Sequence, residues 1–574
     1  MARLISPEKL FWLVIALTSA MPVHAELEIS GVADDVRDGL QVLTGLDELP
    51  CDAPRWWVDR AYRQAVEQLR RGMEAYGYYH ATVTGELKRG EQCWNASFAI
   101  EPGDPVRIGR AAVVVAPPLG AEPGMIAALK GLDLQPEERF SHSGYEAAKS
   151  RLLDVAQSLG YFDAEFTRHQ VSVDLPTNTA DIDLELDGGT RYRIGHIETI
   201  QEDLHQQLFE QFLTVHEGDY YDAAEITKTY RQILESGYFD RVLVAPELEA
   251  RADGTVPVTV RAVTGTRRTA LIGAGFATDT GPRLRSEIRY RRINRRGHRA
   301  GASMLLSPVQ SELTGDYRLP YGDPTHEWLS LTGGFSYDDT DSYTSTKRNL
   351  GVARTHRLGQ RWTETNYVDW RLEDFDIAGE TGRTQLTLLG TSLSRTTSID
   401  APRPVRGHAL SIDVRGAAKQ LLSDTNVLQV IGRAKQIVPL TDRLRLLGRV
   451  SAGWTWQSEF EELPPSIRFF AGGDNSVRGY AYESLGPEED GVVVGGRRLL
   501  TGSLELDALV RPKWSVAVFA DSGSAFDDAP TFSSSVGLGV RWYSILGPIR
   551  VDIAHPLDDP GHTVRLHISL GPDL

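Results

Sequence analysis

Thr501 to Ala508 reads TGSLELDA. In an extended chain successive side chains point to opposite faces. Leu504, Leu506 and Ala508 therefore share one face, and Ser503, Glu505 and Asp507 share the other. The same alternation recurs on both sides of this stretch. Val536, Leu538, Val540 and Trp542 oppose Gly537, Gly539 and Arg541; Ile549, Val551 and Ile553 oppose Arg550 and Asp552. Val564, Leu566, Ile568 and Leu570 oppose Arg565, His567 and Ser569, and Leu410, Ile412 and Val414 oppose Ser411, Asp413 and Arg415. From about Arg267 onward helical stripes disappear, and short alternating segments are separated by Gly, Pro, Asp and Asn. A period of two with charges on the second face admits two readings: a soluble sheet with one wet face, or a membrane barrel with an apolar exterior and a polar lumen.

Size and address decide between them. Residues 267–574 make a large region for one water-soluble β core. At the N-terminus, Arg3 and Lys9 precede the apolar run Leu10 to Leu17, then small residues and Val23-His24-Ala25. This reads as a signal peptide over 1–25 with Glu26 as the mature start; the run falls short of the roughly 20 residues that a spanning anchor needs. No later stretch is apolar enough to be a lipid-spanning helix, and a closed barrel is the only β solution in hydrocarbon. Trp328, Trp362, Trp454, Trp514, Trp542 and Tyr543 at strand ends suit interfacial girdles. The chain has 574 residues, 61 Lys+Arg against 78 Asp+Glu and a net charge of −17, which speaks against a general nucleic-acid binder. Cys51 and Cys93 are its two cysteines. In an oxidising compartment they are expected to bridge, closing a loop that stabilises by on the order of 4 kcal/mol; the alternative is two unpaired thiols.

Ahead of the alternating half, one phrase recurs: Gly77-Tyr78-Tyr79, Gly160-Tyr161-Phe162 and Gly237-Tyr238-Phe239. Each copy follows a helical pattern and precedes a strand. In the third, Asp222 with Glu225 suits a capping box. Ile226, Tyr230, Ile233 and Leu234 then form one helical stripe, and Gly237 supplies the left-handed stop. In the second, Ala148, Leu152, Val155 and Leu159 form the stripe. With a strand and a shorter helix upstream and one more strand downstream, the order is β-α-α-β-β, three times. The expected organisation is α+β repeats over 26–104, 105–188 and 189–265, then a membrane β-barrel over 266–574.

Between two strand-like stretches lies Arg468-Phe-Phe-Ala-Gly-Gly-Asp-Asn-Ser-Val477-Arg478-Gly479-Tyr480, followed by Phe519-Ala-Asp521-Ser-Gly523 and Gly547-Pro-Ile-Arg-Val-Asp552. These motifs resemble the Val-Arg-Gly-Phe/Tyr loop and its companions in the outer-membrane assembly and translocation superfamily, which includes BamA, TamA and the two-partner-secretion transporters. The repeats look like its polypeptide-transport-associated (POTRA) domains. Three repeats, the length and the ending Leu570-Gly571-Pro572-Asp573-Leu574 are most similar to the TamA branch. The resemblance implies sixteen antiparallel strands and a re-entrant loop that carries Val477, Arg478, Gly479 and Tyr480 into the lumen. Strand parity places Asp521 and Glu505 on the polar face, so Arg478 is expected to pair with Asp521 and with Glu505, its guanidinium forking onto carboxylates. Gly479 would permit the turn and Tyr480 would pack on the wall.

The resemblance further implies a weak seam between first and last strands, near Ala270 to Ala277 and Val564 to Leu570. Gly571-Pro572 would end the last strand early, because proline lacks the ladder donor. The implied function is insertion or export of autotransporter-type and other unfolded outer-membrane proteins within outer-membrane lipid. The implied partner is a TamB-like inner-membrane-anchored periplasmic protein, held by the first repeat. A phospholipid conduit working with such a partner, and a two-partner transporter, are the alternatives; a passive pore is a further rival. An enzyme is not expected. Ser141-His142-Ser143-Gly144 lacks the first glycine of a nucleophile elbow. Gly273-Ala274-Gly275 lacks the third glycine of a dinucleotide loop. No metal-ligand spacing is present, so no catalytic residue, metal or cofactor is assigned.

Overall fold

The computed structural model describes residues 25–570 apart from 47, 91–92, 279, 360, 399–402, 545–546 and 559–563. The expected signal peptide, Ala25 excepted, and the seam-end residues Gly571 and Pro572 lie outside the described residues. The chain forms two compact units. One runs through the first two repeats to Ile197 and takes in 216–225 and 246–258; the other holds 198–215, 226–245 and 259 onward.

The first repeat contains β1 (Glu26–Ser30), α1 (Asp34–Thr44), α2 (Arg55–Ala75), β2 (Thr82–Arg89) and β3 (Trp94–Glu101). Its sheet order is β1-β3-β2, with β1 parallel and β2 antiparallel to β3. Alternation on β3 turns Trp94, Ala96, Phe98 and Ile100 onto Leu40, Leu69 and Met73 of the helices. Cys51 and Cys93 form a disulfide across this domain. The second repeat has β4 (Arg107–Val115), α3 (Pro123–Lys130), α4 (His142–Ser158), β5 (Glu165–Asp174) and β6 (Thr179–Asp187), with β6 central. Ser141 caps α4 by accepting from the Gly144 N–H at 3.1 Å, so the Ser-His-Ser-Gly stretch is a helix start. Ala148, Leu152 and Ala156 carry the buried face of α4, while Val155 and Leu159 pack at its margin.

The third repeat has β7 (Arg193–Ile200), α5 (Gln206–Glu210), α6 (Ala223–Glu235), β8 (Phe239–Pro246) and β9 (Thr255–Thr264), in sheet order β7-β9-β8. Here the expected stripe needs correction. Ile226 and Ile233 are buried, but Tyr230 and Leu234 are exposed, and Thr229 takes the inner position. Its hydroxyl receives the Thr214 N–H at 3.1 Å and lies 2.8 Å from the Thr214 hydroxyl. A satisfied polar group can therefore occupy a core slot that an apolarity count assigns elsewhere.

The recurring glycines all have positive φ, 88° at Gly77 and Gly160 and 72° at Gly237. The phrase does more than stop a helix: it forms a joint to the next domain. The Gly77 carbonyl accepts from Val106 N–H at 2.8 Å, and the Gly160 carbonyl from Tyr192 N–H at 2.9 Å. A side chain at Gly77 would run into the Phe140 carbonyl. The following tyrosine carries an arginine of the next domain: Arg139 over Tyr78, Arg191 over Tyr161 and Arg299 over Tyr238, the last 4.1 Å from the ring centre. The Tyr238 hydroxyl also donates to the Gly297 carbonyl at 2.5 Å.

The second unit is dominated by a sixteen-stranded sheet, every neighbouring pair antiparallel, running from β10 (Arg268–Ala277) to β27 (Arg565–Leu570). It is a barrel whose described ends do not ladder together. Its four strands before the last are β23 (Arg498–Arg511), β24 (Trp514–Phe526), β25 (Ser533–Ser544) and β26 (Gly547–Pro556); β21 (Glu488–Glu489) and β22 (Val492–Val493) form a hairpin inside the preceding loop. On β24 the outward Trp514, Val516 and Val518 are 45–48% exposed, whereas the inward Ser515, Ala517, Phe519 and Asp521 are 0–5% exposed. Trp454, Trp514 and Trp542 face outward. Tyr543, expected among them, faces the lumen, 2.7 Å from Arg445 Nη2. Adjacent strand residues cannot both face lipid, so Trp542 excludes it. Trp328 also departs from a girdle role, lying beneath Arg299 with 4.6 Å to the ring centre.

Candidate functional site: the lumen loop and the seam

Residues 458–497 join β20 (Leu444–Gln457) to β23. This long loop is braced by its own backbone. Phe469 and Gly496 exchange N–H···O bonds at 2.9 and 2.8 Å, and Ala471 and Leu485 exchange two at 2.9 Å. Arg468 is buried inside the loop and donates to the carbonyls of Leu463 at 2.7 Å and Val494 at 3.1 Å. The brace presents Val477 to Tyr480 to the inner wall of the last strands. Val477 is fully buried, and Gly479 takes φ 96° with Ser535 and Pro556 close enough that a side chain would crowd them. The Tyr480 hydroxyl donates to the Ser534 carbonyl at 3.3 Å.

Arg478 is surrounded by acceptors. Its Nε lies 2.7 Å and its backbone N–H 3.1 Å from Asp521 Oδ2, and Nη2 lies 2.9 Å from Asp521 Oδ1. Nη1 donates to Glu505 Oε2 and to Asp552 Oδ2, each at 2.9 Å. Nη2 also reaches Ser503 Oγ at 3.3 Å. The guanidinium stacks on Phe519, 3.4 Å from the ring centre. Asp521 and Glu505 thus stand where strand parity placed them. Asp552 and a second arginine, Arg541, complete the cluster: Arg541 Nη2 is 2.9 Å from Glu505 Oε1, and Nη1 pairs with Asp552 Oδ1. Parity marked Asp552 and Arg541 as inward, but their height on the wall depends on strand register. Two glycines make room. Gly539 stands opposite Asp552, where a side chain would occupy the Arg541–Asp552 contact; Gly537 stands opposite Phe519, whose ring would meet a Cβ there.

The loop is also tied to the last strand. His567 on β27 accepts from the Gly479 N–H through Nε2 at 2.8 Å and contacts Asp474 Oδ1 through Nδ1. Since Nε2 accepts, the proton sits on Nδ1 and is donated to Asp474. Sequence reading assigned His567 no role; its only signal was an inward polar position on the strand named as the seam.

A second buried cluster lies on the same wall. Asp507 accepts from Arg403 Nη2 at 2.8 Å, Arg445 Nε at 3.2 Å, the Ser515 hydroxyl at 2.7 Å and the Tyr543 hydroxyl at 3.1 Å. Arg403 belongs to the connection between β17 (Glu380–Ser398) and β18 (Gly407–Ala417). Among the described residues no group of three or more His, Cys, Asp or Glu side chains could hold a metal ion. These clusters can pin, orient and satisfy charge.

At the seam, β10 and β27 are the two ends of the sheet, and among the described residues no ladder joins them. The Ile568 N–H donates to the Thr278 hydroxyl at 3.2 Å across the gap.

Residues 293–573 match the Omp85 superfamily domain, residues 26–102 match the POTRA domain TamA domain 1, and residues 127–189 match a POTRA family described as surface antigen variable number repeat. The outer membrane protein assembly factor BamA of Nitratidesulfovibrio vulgaris is 24% identical over 393 residues, covering 62% of this chain and 48% of that protein. The chain thus matches about half the length of this relative. Outer envelope protein 80, chloroplastic, of Arabidopsis thaliana is 32% identical over 123 residues, 19% of this chain and 15% of that protein. The crystal structure of BamA from Haemophilus ducreyi lacking POTRA domains 1–3 superposes with a TM-score of 0.66 at 15% identity, covering 81% of this chain and 99% of that one, a likeness of fold. The chain belongs to the Omp85 superfamily, an outer-membrane β-barrel preceded by periplasmic POTRA domains.

Proposed function

We propose that this chain is an outer-membrane assembly and export factor that admits unfolded outer-membrane or autotransporter-type polypeptides at the seam between β10 and β27. The observation that carries this reading is the sheet whose two described ends face each other without a ladder. Unpaired strand edges offer N–H and C=O groups that template an incoming strand. The link from Gly479 through His567 to β27 supports a loop that holds the closing strand while the seam is at rest. The role is positional rather than catalytic. Cysteines at 278 and 568, which the Ile568 N–H to Thr278 contact places close together, are expected to lock the seam on oxidation. Locked protein in proteoliposomes should lose assembly of an autotransporter substrate and regain it on reduction. Undiminished assembly by the locked form would sink the proposal.

The finer assignment is a TamA-type factor working with a TamB-like inner-membrane-anchored partner. The match of 26–102 to the TamA first POTRA domain supports it, as do exposed Val42, Trp56 and Trp57 on the helices of that domain. Deleting 26–104 should abolish capture of the TamB-like protein while leaving the barrel heat-stable. Retained capture would remove the first domain from that role.

A further inference from the structure

The strands of the barrel alternate in direction, so alternate hairpins lie on the side from which the chain enters β10, the periplasmic rim. At the end of β15 (Tyr343–Leu358), the start of β16 (Trp362–Ile377), the end of β17 and the start of β18, a cleft of about 840 Å³ is lined by Arg357, Arg361, Arg395, Arg406, His326 and His408. Among the described residues one carboxylate reaches this lining, Asp323 at 2.9 Å from His326 Nδ1, and none lies against Arg395, Arg406 or His408 in the cleft. Higher on the same strands, Arg348 pairs with Asp374 at 3.0 Å and Arg371 with Asp369 at 2.5 Å, and within the cleft Arg357 Nη1 lies 2.8 Å from His326 Nε2. The Nε of Arg395 is buried and has no hydrogen-bond partner. This concentration of cation stands out in a chain of net charge −17.

The register says which way the cleft faces. Arg395 pairs with Leu410 and Thr397 with His408. Leu410 and Ile412 face outward, so Arg395, Thr397 and His408 share the lipid side of the wall with Leu389, whereas Arg357, Thr363 and Ser394 pair with one another on the lumen side. Above the cleft is an apolar stripe. Beside it is outward-facing Trp362, over which the Arg395 guanidinium lies at 6.0 Å from the ring centre. A tryptophan at the end of a strand marks the headgroup level of the bilayer. A lipid-facing cation is costly at the midplane and nearly free at the interface, where an anionic partner is at hand. Guanidinium forks match phosphate oxygens, and the hydroxyl of Thr397 on the lipid side of the cleft can add a donor.

We infer that the lipid side of this cleft, formed by Arg395, Thr397, Arg406 and His408, is a binding site for the phosphate headgroup of an anionic glycerophospholipid of the periplasmic leaflet, with the acyl chains lying along Leu389, Leu410 and Ile412. The inference is independent of the seam mechanism and stands on charge, orientation and depth. It is tested with the full-length protein in detergent, by native mass spectrometry with phosphatidylglycerol, phosphatidylcholine and inorganic phosphate as separate probes. Wild type should retain one phosphatidylglycerol at a concentration at least tenfold below that needed for phosphatidylcholine. Inorganic phosphate at equal concentration should not displace it. Arg395→Gln with Arg406→Gln should erase the headgroup preference, and the Lys pair at the same positions should restore part of it. Heat-modifiable migration checks that each barrel is folded; Arg361→Gln, in a turn, serves if the double variant is not. Equal retention by wild type and the Gln variants would place the lipid elsewhere and overturn the site. Displacement by inorganic phosphate at equal concentration would make the ligand a soluble anion and overturn the lipid assignment.

Discussion

The second POTRA domain and the barrel interior are built from the same alternation and bury opposite things. In the domain, Ile182, Leu184 and Leu186 face Leu152 and Ala156 away from water. In the barrel, Leu538, Val540 and Leu566 face outward, while the largest fully buried side chains of the described chain are Arg445 and Arg541. The difference follows from solvent. An apolar face gains free energy by leaving water, roughly 25 cal/mol per Å². Facing lipid, that gain needs no protein core, so the interior is free to hold charge provided every charge finds a partner. Stability then rests on apolar packing in one region, and on ladders and ion pairs in the other.

The largest expected effect is on the charged interior. Arg478→Ala or Asp521→Ala should each cost the barrel about 3–5 kcal/mol, because each strands a buried charge. The double variant should lose less than the sum, read as heat-stability of the folded barrel. Strictly additive losses would show that the two residues do not act together. Next, Leu152→Ala in α4 should cost about 2–5 kcal/mol in urea unfolding of its domain, a transfer loss plus a cavity, whereas Leu538→Ala on the lipid face should cost the barrel only the transfer loss, about 1–2 kcal/mol, because lipid fills the space. Equal losses at the two sites would erase the contrast. The smallest effect is on exposed charge. On α2, hydrogen bonds from Arg70, then Arg71, hold the Glu67 carboxyl at about 2. A depressed carboxylate contributes stability above the usual carboxylate range and loses it as pH falls through about 2. Since the pair is exposed, Glu67→Gln should leave the unfolding midpoint of the domain unmoved. An NMR titration of Glu67 should show the low midpoint, and a shift back toward the ordinary value in Arg70→Ala.

The contrast also explains what could be read from residues alone. Strand parity is local, so the facing of Asp521, Glu505 and Asp552 was open to inspection. Which of them share a height on the wall is set by register across β23 to β26, and so Asp552 and Arg541 were not grouped with Arg478. His567 needed in addition the path of a forty-residue loop through space. Tyr543 was misread because an aromatic at a strand end suggests an interface even when its neighbour Trp542 already occupies the outward side. Thr229 was overlooked because its partner, Thr214, lies on a different element.

The joints between domains have a direction. Tyr78, Tyr161 and Tyr238 each wait for an arginine that comes later in the chain. A polypeptide made and exported from its N-terminus therefore acquires its couplings in series, each clasp closing only after its successor has emerged. The final clasp, Arg299 on Tyr238, closes only once the first barrel hairpins exist. A truncated product that stops before them would carry two fastened links and one open ring face, a molecular record of where synthesis stopped.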